Sequence, residues 1–131
     1  MIMGKLIKLP NESDWEYEYR ENIVNISNEV SKYLNMNKKG NTINDFKVMR
    51  NGIKKQYDNL LILNVPEKYK VSYCHLKEAL EYYIEGYEIL VGLDLKDDKN
   101  SQKIIEVGKF IEIGTCFTKI SSFEYLKTLK D

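Results

Sequence analysis

The residues able to do chemistry in this 131-residue chain are few, and its single histidine comes first. His75 is followed three residues later by Glu78, so on a helix the imidazole and the carboxylate share one side. Di-metal sites in helical bundles use Glu-x-x-His on two helices and a glutamate from each of the other two, all pointing inward. Here the order is reversed and no second histidine exists. The expected role of His75 is therefore that of a hydrogen-bonded residue at the flank of a core.

Glu78, Glu81, Glu85 and Glu88 form two Glu-x-x-Glu steps, a spacing by which helical nucleotide pyrophosphohydrolases hold magnesium, an ion that takes oxygen ligands. They project opposite the apolar seam of their own helix, which fits a solvated acidic face better than a cavity. Cys74 and Cys116 make neither a disulfide framework nor a zinc spacing, so two unlinked thiols are expected, and a reducing cytoplasm is the simplest setting. Arg50 interrupts an apolar stripe and needs a partner, with Glu29 near the right level; anchoring an anionic ligand is the other reading. These residues assemble no catalytic, cofactor or metal set.

Ten tyrosines against four phenylalanines suggest core rings whose hydroxyls reach the rim of the fold. The sharper alternative is a polar-lined cavity opened by Gly86 and Gly114. Close helix approach is the expectation for both glycines, because native cores keep few voids.

Lysine plus arginine number 20, as do aspartate plus glutamate, so no net field gathers a polyanion and nucleic acid is not an expected partner. Lysine in place of arginine, with abundant asparagine and isoleucine, reads as AT-rich bacterial codon usage. The opening apolar run is short and broken by Lys5 and Lys8, unlike a secretory signal, and no later run suits a membrane span.

Periodicity supplies the elements that must position these side chains. Ser13 and Glu16 form a capping box ahead of Trp15, Tyr19, Ile23, Ile26, Val30 and Tyr33, giving a helix near 13–35. Thr42 and Asp45 cap a second helix, near 42–63, with Ile43, Phe46, Ile53, Tyr57, Leu60 and Leu61 following. Pro66 suits the first turn of a third, near 66–93. Its seam of Tyr69, Tyr73, Leu76, Leu80, Tyr83, Tyr87 and Leu90 alternates steps of four and three. A fourth helix, near 100–127, carries a broad apolar face from Ile104 through Ile113 to Ile120. Short connections make consecutive helices antiparallel, so the expected fold is an all-α, up-down, antiparallel four-helix bundle in one domain. A hairpin turn near Leu95 would set Tyr73 level with Phe117, Leu76 with Gly114 and Leu80 with Phe110.

Pro66-Glu67-Lys68-Tyr69, then His75, Ala79-Leu80-Glu81, Tyr83 and Gly86, then Gly108 and Gly114 on the next helix, resemble a pattern in small uncharacterised helical proteins of low-GC Gram-positive bacteria. The resemblance implies a helical hairpin and no particular activity.

The third helix is apolar over more than one face. A second line, Val71, His75, Tyr82, Ile89 and Leu93, lies about a quarter-turn from the seam. These five residues are the candidate interface, because an exposed apolar stripe commonly marks a contact surface. The functional expectation is a non-enzymatic interaction or structural protein that forms a homodimer or binds another protein. The alternative is a small-molecule- or metal-binding bundle such as a metal-dependent hydrolase. With both thiols unlinked, reductant should leave the melting temperature unchanged; a large drop would reveal a bridge.

Overall fold

A computed structural model describes residues 6–93 and 100–130. Four helices pack antiparallel in chain order: α1 (Asp14–Leu34), α2 (Ile43–Leu61), α3 (Lys70–Val91) and α4 (Asn100–Lys130). There is no strand among the described residues. Both anticipated capping boxes form. Ser13 exchanges bonds with Glu16, and Thr42 with Asp45, so the first free N–H groups of α1 and α2 are satisfied. Pro66 is extended (φ −61°, ψ 143°) and leads into a 3₁₀ turn, Glu67–Tyr69, so α3 begins later than its proline suggests. Gly40, in the turn after α1, has φ 92°, a conformation open to glycine at little cost.

The core gathers Met49, Ile53 and Leu60 from α2 with Leu80, Tyr83 and Tyr87 from α3, all essentially inaccessible. Tyr19 of α1 closes one end by stacking on Tyr69, with ring centroids 5.1 Å apart. Trp15, expected on the buried face of α1, is instead exposed, and its indole donates to the Asn64 carbonyl at 2.8 Å. Among the described helices α3 touches α2 and α4, and α1 touches α2, while the backbones of α1 and α4 do not meet.

The α3–α4 pair is built on small residues spaced seven apart. Ser72, Ala79 and Gly86 of α3 are buried, as are Val107, Gly114 and Ser121 of α4. Ser121 donates to the Ser72 carbonyl at 2.6 Å. A methyl added at Gly114 would lie 2.7 Å from the Tyr83 ring and 3.1 Å from the Ala79 carbonyl oxygen. At Gly86 it would lie 3.3 Å from Ile111. Both glycines thus permit close approach and neither opens a cavity. The register differs from the expected one by about a turn: Gly114 meets Ala79 and Tyr83 rather than Leu76. Small residues on both helices bring the backbones together, which a glycine–leucine register would not.

This narrow contact also overturns the broad buried face expected of α4. Only Val107, Gly114 and Ser121 of α4 are fully buried, whereas Ile104, Ile113 and Ile120 are exposed.

Truncation of the inaccessible Leu80 to alanine should cost about 2–5 kcal/mol; a loss below ~1 kcal/mol in a denaturant titration would place the core elsewhere. Gly108 has open space where a Cβ would go, unlike Gly114. Gly108→Ala should therefore gain up to about 1 kcal/mol of helix propensity, while Gly114→Ala should lose stability. Equal shifts for the two would contradict the seam.

Candidate functional site

The five interface candidates, four on α3 and Leu93 just past its end, fall into three environments. Val71 is 58% exposed. His75 and Tyr82 are half-buried, because the Phe117 ring of α4 stacks on both, at 6.0 and 5.6 Å, and Phe110 lies 6.2 Å from Tyr82. Ile89 and Leu93 are partly buried against the core. The line is therefore continuous in sequence period but uneven in exposure, and α4 supplies its missing half.

On a wheel of about 100° per residue, Ile113 and Ile120 lie just outside Phe110 and Phe117 on α4, with Phe123 beyond them. All three are exposed, Phe123 by 67%. Cys74 and Cys116 are free and exposed farther round the same side. The result is a two-helix surface with an aromatic ladder along its centre and aliphatic residues on the α4 side. No described helix packs across it.

The acidic stripe divides. Glu81 accepts the Tyr57 hydroxyl at 2.6 Å and has Lys77 at 3.8 Å. That hydrogen bond, together with burial, pushes Tyr57 up to about 12. Glu88 meets Arg50 at 3.5 Å and Lys54 at 3.6 Å. Arg50 is thus paired across α2 and α3, and Glu29, the expected partner, lies 3.9 Å from Lys32 on its own helix. Glu78 and Glu85 are exposed beside Tyr82 and Phe110, at the rim of a shallow hollow. Nδ1 of His75 is buried without a hydrogen-bond partner, so the flank histidine is held by ring stacking rather than by the expected hydrogen bond. Among the described residues no three His, Cys, Asp or Glu side chains converge as metal ligands would.

Tyrosine hydroxyls follow the rim expectation only in part. Tyr73 donates to the Leu60 carbonyl at 3.1 Å, and the Tyr83 hydroxyl lies between those of Thr115 and Thr118. The hydroxyls of Tyr19, Tyr69 and Tyr87 are buried without partners. Burial holds all three phenols neutral, pushing Tyr69 and Tyr87 up to about 12 and Tyr19 further.

One polar centre escaped the sequence reading. Residues 6–12 fold back along α1, and Glu12 meets Arg20 through two bonds, 2.5 and 2.8 Å, with both side chains at most 5% exposed. Arg20 also donates to the Ile7 carbonyl at 2.8 Å, and the Tyr17 hydroxyl to that of Leu6 at 2.8 Å. Helical periodicity is blind to a partner lying outside the helix.

Comparison with protein-family models, curated proteins and solved structures finds no match. No described helix is long and apolar enough to cross a membrane.

The Arg20 hydrogen bonds hold the Glu12 carboxyl below the usual carboxylate range. A depressed folded value means that its contribution is complete above the unfolded value and is lost as pH falls. Glu12→Gln should therefore be clearly less stable than wild type at pH 7, with the gap narrowing toward pH 3 in urea titrations. A gap independent of pH would contradict the pairing.

Proposed function

We propose that this chain acts as a non-catalytic interaction protein that binds a second copy of itself through the outer face of α3 and α4. The observation that supports this most strongly is the exposed apolar surface shared by Val71, Ile113, Ile120 and Phe123 around the His75, Tyr82 and Phe117 stack. Contiguous surfaces of this kind, with a polar rim, commonly mark contact sites.

Size supports the same reading. From Val71 to Ile89 the face runs roughly 27 Å along the helix at about 1.5 Å per residue. Two helices at ~10 Å each make it about 540 Å² before roughness, about two-thirds of the roughly 800 Å² per partner of ordinary stable interfaces and the size of a weaker, concentration-dependent one. Charge disfavours one pairing: α3 on α3 would set Glu78 and Glu85 against their own copies, whereas the α4 side is mixed, with Lys109 and Lys127 outside the isoleucines and Glu106 and Glu124 between them and the phenylalanines.

Light scattering coupled to size exclusion tests this. Wild type should elute at twice the chain mass, and Ile113→Glu with Ile120→Glu should give a folded monomer. A wild type that stays monomeric at high concentration would overturn the proposal.

A further inference from the structure

The segment 6–12 is attached in an unusual way. Its apolar side chains are not its anchors: Leu6, Ile7 and Leu9 neither belong to the hydrophobic core nor pack against it, and Ile7 is 80% exposed. What holds the segment is polar. Glu12 fills the fork of Arg20, the Ile7 carbonyl takes a third Arg20 bond, and the Leu6 carbonyl accepts from Tyr17. Within the segment the Leu9 N–H donates to Glu12 Oε1 at 3.0 Å, and the Glu12 N–H to the Leu9 carbonyl at 3.1 Å, giving the carboxylate a fixed bearing. Lys8 pairs with Asp14 at the surface.

Beneath this strap the bundle is already closed. Tyr19, Tyr69 and Tyr125 stack in sequence, with centroids 5.1 and 5.7 Å apart. The strap therefore contributes a carboxylate and two carbonyls to a socket built on Arg20 and Tyr17 of α1.

We propose that the Arg20 socket is a peptide-binding site for a glutamate on an extended segment of another polypeptide, and that the strap occupies it in cis as a displaceable plug. Burial explains why displacement must be an exchange. A buried guanidinium without a counter-charge is costly, so the strap does not simply leave; it yields when another carboxylate enters. The guanidinium fork gives that carboxylate two parallel bonds, a geometry that lysine or a neutral donor would not reproduce. Carbonyls placed as those of Leu6 and Ile7 are would add contacts to Tyr17 and Arg20. The ligand class is thus an extended acidic peptide, and the strap's own sequence is its template.

The test uses the full chain carrying Glu12→Gln and a synthetic peptide spanning residues 6–13 supplied in trans. The peptide should raise the melting temperature saturably, by about 5 °C or more near saturation. The same peptide with glutamine in place of its glutamate should not, and adding Arg20→Met to the protein should abolish the response. If Glu12→Gln alone is unfolded, the same titration reads recovery of helicity by circular dichroism, with the same two controls. No difference between the glutamate and glutamine peptides, or a response that survives Arg20→Met, would overturn the proposal.

Discussion

The close antiparallel contact between α3 and α4 is the constraint on which the rest of this structure depends. Ser72, Ala79 and Gly86 meet Val107, Gly114 and Ser121 along one line, and the Tyr83 ring occupies the space left by Gly114. Contact through small side chains uses a narrow stripe of each helix. Apolar residues on either side of the stripe must then find other cover. On one side of α3, α2 provides it, with the stack of Tyr19, Tyr69 and Tyr125 at one end. On the other, Phe110 and Phe117 reach only as far as Tyr82 and His75, leaving Ile113, Ile120 and Val71 open. The proposed interface thus follows from how narrow a stripe of α4 the α3 contact covers.

The acidic residues that sequence spacing singled out serve mainly as partners for Tyr57, Lys77, Arg50 and Lys54, or stand at the rim. The most deeply buried charges are Arg20 and Glu12, whose contacts join the strap to α1.

Much of the fold was legible because its signals are local. Capping boxes at Ser13 and Thr42 and the four-three alternation on α3 each depend on residues within a turn or two, and they located the helices closely. Interhelical register was not legible, since it turns on which residue of α3 can approach Gly114, and Ala79 is a plain helix former until its neighbour is known. For the same reason the broad apolar face of α4 gave no sign that Ile113 and Ile120 are exposed. For the candidate site, the period of α3 set a second apolar row beside the seam but carried no sign of its uneven exposure. Its α4 half was hidden inside an apolar pattern that no periodicity argument could divide into buried and exposed parts. Arg50 was seen to need a partner, but Glu88 required knowing how α2 lies on α3. Arg20 gave no signal, because Glu12 lies before the helix begins.

The central claim is that the side of the α3–α4 pair left open by the small-residue contact is covered by a second copy, and Cys74 and Cys116, exposed at the margins of that surface, report on it directly. Rates of thiol alkylation measured across a wide range of protein concentration, with each cysteine followed separately, test it in place. The account predicts that both rates fall as concentration rises and that Ile113→Glu with Ile120→Glu keeps them fast throughout. Rates as fast as those of the double variant in a wild type that is dimeric would put the interface elsewhere, and fast rates at every concentration in a monomeric wild type would leave the face without the partner assigned to it.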